Sequence, residues 1–139
     1  MKHMNQIIKK LYQLALKSYR HQEMPVGAIV LYKDKIVGVG CNNRQKKHNV
    51  CGHAEINAII QAEKKLKDWR LNECVLISNL EPCRMCTKVI MEARIKQVFY
   101  IIPSNNTKHE KCFKQIYFPG NNLICKMEQL IIDFFKKIR

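Results

Sequence analysis

The stretch "CVLISNLEPCRMCTKVIMEARIKQVFYII", residues 74–102, carries the order of elements that decides the fold. Residues 74–80 form a short apolar run that reads as a buried strand. Pro82 suits the first turn of a helix, where its missing N–H loses nothing, and that helix runs to about Arg94. "QVFYII", 97–102, is again a strand, and Pro103 ends it. Strand, helix and strand in such close succession imply a crossover between parallel strands, and so an α/β domain.

The flanks extend this pattern. "CGHAEINAII", 51–60, opens a helix from about His53 to Lys65, preceded by the polar loop "RQKKHNV", 44–50. "VGAIVLYKDKIVGVGCN", 26–42, reads as a hairpin with its turn at Lys33-Asp34-Lys35. Residues 4–20 place Met4, Ile7, Ile8, Leu11, Leu14, Ala15 and Tyr19 near one face of a helix. "KQIYF", 114–118, is a candidate fifth strand, and Asn121 or Asn122 is positioned to cap a last helix. The resulting order, α-β-β-α-β-α-β-β-α, contains no linker, repeat or low-complexity segment. It predicts a single domain over 1–139, three layers deep, with central strands partly parallel.

Composition narrows the function classes. The chain has 139 residues, 47% of them hydrophobic and 26% charged, which fits a globular domain rather than a disordered one. No apolar run approaches the roughly 20 residues needed to span a bilayer. The start, residues 1–20, lacks the apolar run and cleavage site of a signal peptide, so a cytoplasmic location is expected. The formal charge of +14 suits a polyanionic partner, because neutralising phosphates releases counterions. A biased genome competes as the cause, since 19 of the 25 basic residues are Lys. Seven cysteines, an odd number without signs of secretion, point to a metal site before a disulfide framework.

Cys83 and Cys86 start a helix whose N-terminus favours the thiolate form, and His53 starts another. Thiolates and a neutral imidazole suit Zn²⁺. Structural zinc sites close with four protein ligands, whereas catalytic ones keep three and an open position. Cys51 is the only nearby candidate for a fourth ligand. Glu55 weighs toward chemistry: a carboxylate beside the metal, but not bound to it, can accept and pass on a proton. Alone it would be a surface glutamate in a first helical turn. Two residues after a ligand histidine, and followed by Pro-Cys-x-x-Cys, it completes the signature of zinc nucleobase deaminases.

These residues make the chain resemble the cytidine deaminase superfamily and, within it, the bacterial tRNA-specific adenosine deaminases. His53-Ala54-Glu55 and Pro82-Cys83-Arg84-Met85-Cys86 carry the superfamily signature. "MPVGAIV" (24–30), "GCNN" (40–43), "WRL" (69–71), "LEPCRMC" (80–86) and "DFFKKIR" (133–139) carry the narrower likeness, which covers nearly the whole chain. The resemblance implies a three-layer α-β-α fold around a five-stranded mixed sheet, one Zn²⁺ per chain, and a homodimer. It also implies conversion of adenosine to inosine at the wobble position of a tRNA anticodon stem-loop. By position, His53, Cys83 and Cys86 would bind zinc and Glu55 would shuttle protons. Asn42, the backbone N–H of Ala54, and Val26 would meet the nucleoside. One stretch departs from the family: its Gly-Ala-x-Asp and Gly-rich loop are replaced by Tyr100-Ile101-Ile102-Pro103 and the shorter "SNNTKHEKCF", 104–113.

Other residues have plainer readings. Cys41, Cys74, Cys112 and Cys125 suit buried packing. Phe134 and Phe135 suit the core of an amphipathic helix, with one of the two exposed if the family's RNA-facing end is kept. Trp69 with Arg70 reads as packing before the third strand. His48 and His109 read as solvated, with Arg44, Lys46 and Lys47 able to meet phosphates. The cationic end 136–139 suits either phosphate or a helix C-terminal dipole. Two rival functions stay open: a small-nucleotide deaminase acting on deoxycytidylate, cytosine or guanine, and a non-catalytic zinc-containing RNA-binding module.

Overall fold

The structure is a computed structural model that describes residues 3–104, 113–118 and 120–138. Its elements are α1 (Met4–Arg20), β1 (Gly27–Tyr32), β2 (Lys35–Cys41), α2 (Ala54–Leu66), β3 (Cys74–Leu80), α3 (Arg84–Glu92), β4 (Gln97–Ile102), β5 (Phe113–Gln115) and α4 (Asn122–Lys137). The sheet order is β2-β1-β3-β4-β5. β1 pairs antiparallel with β2 and with β3, while β3–β4 and β4–β5 are parallel. The mixed sheet follows from the connections. A two-residue turn, with Lys33 and Asp34 both at positive φ, closes the β1–β2 hairpin, as the right-handed twist of paired strands favours. The link from β3 to β4 is long enough only because α3 crosses between them.

Both faces of the sheet are buried, so its central strands are largely apolar, with Ser78 and Asn79 as buried polar residues of β3. Alternate residues serve opposite layers. Ala28, Val30, Leu76 and Val98 pack with Ala54, Ala58, Ile59 and Ile90 of α2 and α3. Ile29, Leu31, Ile77 and Ile101 pack with Ile8, Leu11 and Met127 of α1 and α4. The α2 layer lies unusually close to β2. A Cβ on Gly40 would run into the Ala54 carbonyl and the Ala58 N–H, and one on Gly38 into the Ala58 carbonyl. The helix therefore rests directly on the β2 backbone, and strand geometry sets how close its first turns lie to the sheet.

Several expectations change in detail. α3 begins at Arg84 with Cys83 as its N-cap, so Pro82 lies before the helix rather than in its first turn. The reason is that the Cys83 sulfur accepts the N–H of Cys86, a role that needs non-helical backbone at 83. In α1 Ser18 is fully buried and Tyr19 is not; Tyr19 lies under the Lys137 ammonium, 4.3 Å from the ring centroid. β5 is short and starts at Phe113, so Ile116 to Phe118 lie beyond it. Asn121 caps α4, accepting from the N–H groups of Leu123 and Ile124. Among the described residues no helix is long and apolar enough to cross a membrane.

Candidate active site

α2 and α3 run side by side on one face of the sheet, and their N-terminal ends bring the chemistry together. His53 caps α2 with extended backbone, which turns its imidazole across to α3. Its Nδ1 stands 3.7 Å from Cys83 Sγ and 3.5 Å from Cys86 Sγ. A tetrahedral zinc with Zn–S of about 2.3 Å and Zn–N of about 2.0–2.1 Å separates sulfur and nitrogen by roughly 3.6 Å. The donor set therefore fits the ion in both chemistry and spacing. His53, Cys83 and Cys86 all lie within 4.8 Å of one another, and Cys51 is not part of that group. Cys51 is exposed, so the closed four-ligand arrangement finds no support among the described residues.

The electrostatics of the group suit a cation. Cys83 is held down at about 3, first by a hydrogen bond from the Cys86 side chain and against its partial burial, with His53 and the Cys86 N–H also contributing. Cys86 is pushed up by its bond to Cys83, by burial and by the charge of Glu55. Cys83 is thus the thiolate side of the pair and Cys86 the thiol side, and a divalent ion held by both would displace the remaining proton. His53 is raised, chiefly by its hydrogen bond to Cys83. The N-terminus of α3 adds its own donors, including the Cys86 N–H on the Cys83 sulfur at 3.5 Å.

Glu55 sits in the first turn of α2 and is 4% exposed. Burial pushes its carboxyl up to about 7. Its charge acts on Cys86 and Cys86 acts back on it, which places Glu55 beside the three-residue group without making it a member. A buried carboxylate poised near neutrality can both take and give a proton at cellular pH.

The wall beside this group comes from the end of β2. Asn42 accepts the Ala54 N–H through Oδ1 at 2.8 Å, so the Ala54 N–H already has a partner and Asn42 presents its amide NH₂. A cleft of about 560 Å³ opens here, lined among others by Met24, Asn42, Arg44, His53, Phe134 and Phe135. Val26 is 4% exposed and packs in the core with Ala54; Met24 lines the cleft in its stead. Phe134 and Phe135 are not core residues. Their rings meet edge to face at 5.8 Å, and Phe135 is 44% exposed, because α4 reaches over the cleft mouth.

Further residues that support the site went unread in the sequence. Asn57 donates to the Cys41 carbonyl and to Asn43 Oδ1, both at 2.9 Å, fixing the strand end that carries Asn42. Fully buried Asn79 accepts the Gly27 N–H at 2.9 Å and donates to the Pro25 carbonyl at 3.0 Å. Glu81 accepts the Ser104 N–H at 2.8 Å and bonds Tyr100, which anchors the altered segment after β4. An Asn before a metal-ligand helix is a weak signal by itself; only the paired backbone groups reveal these roles. Cys74 is buried as expected, Cys41 is half-buried, and Cys125 is exposed, because it faces outward on α4. Trp69 is 55% exposed, with the guanidiniums of Arg70 and Arg94 at 5.6 and 5.7 Å from its ring, so it is not core packing. His109, Cys112 and Arg139 lie outside the described residues.

Comparison with known proteins agrees with this geometry. Residues 1–102 match the family profile described as the cytidine and deoxycytidylate deaminase zinc-binding region. A tRNA-specific adenosine deaminase of Buchnera aphidicola subsp. Schizaphis graminum is 34% identical over 126 residues, covering 84% of this chain and 83% of that protein. A solved structure from work on A-to-I editing by tRNA:A34 deaminases shares the fold, with a TM-score of 0.73 and 23% identity over 81% of this chain and 98% of that one. A guanine deaminase from Bacillus subtilis superposes with a TM-score of 0.70 and 33% identity, over 76% of this chain and 68% of that one. A profile matched across most of the chain, and a relative this similar along most of both lengths, show that the protein belongs to the zinc-binding cytidine and deoxycytidylate deaminase family, in the group of the tRNA-specific adenosine deaminases.

Proposed function

We propose that this protein hydrolytically deaminates adenosine to inosine at the wobble position of a tRNA anticodon loop, using one zinc ion per chain. The observation that carries the reading is Glu55, a carboxylate 4% exposed and held near neutrality beside, but outside, the His53–Cys83–Cys86 group. The tRNA substrate rests on the Buchnera relative's name and on the aromatic, cationic mouth of the cleft.

In this reading His53 Nδ1 and the two sulfurs hold the zinc. Bound there, zinc would supply the Lewis acidity that brings the pKa of water to about 7. The Glu55 carboxylate takes a proton from the attacking water and delivers it to N1 of adenine. It then takes the second proton from the new C6 hydroxyl and hands it to the amine as the C6–N6 bond breaks, so that water is consumed and ammonia leaves. Asn42 holds the nucleoside through its amide NH₂, while Ala54 and Val26 back the apolar wall. Phe134 and Phe135 give neighbouring bases a surface to stack on. The nucleotide must leave its stack first, at a few kcal/mol, which is least in a single-stranded loop. We further assign the protein to the cytoplasm as a single domain and a homodimer. Ile60, Trp69 and Met91 stay exposed along the α2–α3 side, and light scattering of the eluted protein tests the dimer.

The deciding assay incubates zinc-loaded protein with an anticodon stem-loop bearing wobble adenosine, and separately with guanine and with deoxycytidylate. Inosine in the stem-loop is the expected result. The Bacillus subtilis likeness makes free guanine the second reading, and product from guanine or deoxycytidylate alone would overturn the tRNA assignment.

A further inference from the structure

Glu23 is a carboxylate only 3% exposed, and the deamination chemistry makes no use of it. It sits in the turn between α1 and β1. Its two oxygens accept consecutive backbone donors from a distant loop, the N–H of Gln45 at 3.2 Å and that of Lys46 at 2.9 Å. Burying a carboxylate is expensive unless such donors satisfy it. The arrangement resembles a helix cap supplied from outside, because those N–H groups begin a turn and have no partner within it.

That turn is a closed loop. Its ends meet where the Asn43 N–H donates to the Gly52 carbonyl at 2.9 Å, and within it the Lys47 N–H donates to the Asn43 carbonyl at 2.9 Å. Residues 44–51 are exposed, so the loop has little side-chain packing to hold its place. Arg44, Lys46 and Lys47 project from it, and Arg44 and Gln45 line the same cleft as Asn42 and His53. A bonded loop of cations beside a nucleoside-sized cleft, lashed to the core at one buried carboxylate, is built to be rigid rather than adaptable.

We propose that Glu23 is a positioning residue: it fixes this basic loop at the cleft mouth so that Arg44, Lys46 and Lys47 grip the RNA phosphates flanking the target nucleotide. The proposal rests on the assignment of an anticodon loop as substrate. Phosphate contacts set register and orientation; a loop free to swing would lose that contribution without touching the reacting groups.

Binding of a labelled anticodon stem-loop, measured by anisotropy across a KCl series, tests it directly. Zinc content and thermal midpoint confirm that each variant is folded. Glu23→Gln replaces one accepting oxygen with a donor. It is expected to raise Kd roughly ten-fold and to flatten log Kd against log [KCl] by about 0.7 for every phosphate that the loop no longer neutralises. Turnover at saturating RNA should stay at the wild-type rate, so that KM moves and kcat does not. Combining Arg44→Ala, Lys46→Ala and Lys47→Ala should weaken binding with the same flattened slope. Adding Glu23→Gln to that background should then change nothing further, an outcome that a purely structural role would not give. If Glu23→Gln folds poorly, Gln45→Pro removes one of the accepted N–H groups with every charge kept, and the same weakened, flatter binding is expected. Wild-type affinity and slope in Glu23→Gln, or an undiminished effect of Glu23→Gln in the background without the loop cations, would overturn the proposal. A stem-loop that binds but is never deaminated overturns the substrate reading while leaving the clamp standing, because binding alone reports on the loop.

Discussion

At the scale of single residues, the chemistry concentrates on groups that water cannot easily reach. Glu55 gains a carboxyl poised near 7 by being buried, and the same burial works against folding when the group is ionised. Glu55→Gln is therefore expected to keep about one zinc per chain while deamination falls by about 10²-fold or more, the usual contribution of a positioned acid–base group. Metal analysis and a single-turnover assay on one preparation check both halves; turnover near wild type would remove Glu55 from the mechanism. Asn79 is a structural counterpart, buried with both ends of its amide bonded to the start of β1. Asn79→Ala leaves the Gly27 N–H and the Pro25 carbonyl unpaired and should lower stability by about 2–4 kcal/mol, read from urea unfolding. Glu55 is legible only through the His-x-Glu and Pro-Cys-x-x-Cys pattern around it, since a carboxylate two residues after a histidine is common by itself. Asn79 could not be weighed from its neighbours, because a polar residue ending a strand is common too.

At the scale of elements, the site depends on where two helix N-termini stop. The β1–β2 hairpin, the β3–α3–β4 crossover and α2 are legible as patterns, because alternating apolar residues and turn chemistry are local properties. Their ends are set by contacts. α3 starts one residue after Cys83 because that sulfur caps it, and α2 stands where Gly38 and Gly40 let its backbone touch the sheet. Gly40→Ala is expected to push the first turn of α2 outward and carry His53 with it. The cost should be about 1–3 kcal/mol of stability, as is common for overpacking, together with weaker zinc binding in a chelator competition. Unchanged zinc affinity would show that α2 is held elsewhere.

At the scale of the whole molecule, a zinc ion held by His53, Cys83 and Cys86 would tie the N-terminal end of α2 to that of α3. If the ion binds the folded protein and not the unfolded chain, free zinc at 100 times its Kd adds about 2.7 kcal/mol of stability. Stripping the metal should thus lower the thermal midpoint, and zinc, unlike magnesium, should restore it. An unmoved midpoint would argue that the three ligands do not share one ion. The +14 charge gains meaning only at this scale, since Arg44 lines the same cleft as the aromatic end of α4 and Lys46 and Lys47 follow it on the same exposed loop.

By itself the sequence determined the order of the elements and the mixed character of the sheet, and it singled out three candidate metal-binding side chains and the carboxylate two residues after one of them. Each rests on a short-range regularity or on residue types that few other arrangements use together. Only the tertiary structure decided that Met24 rather than Val26 lines the cleft, that Phe134 and Phe135 leave the core to join it, and that Glu23 reaches the basic loop. Those outcomes depend on which surfaces remain uncovered once helices have packed on both sides of the sheet. That is a property of the assembled layers, and no single segment encodes it.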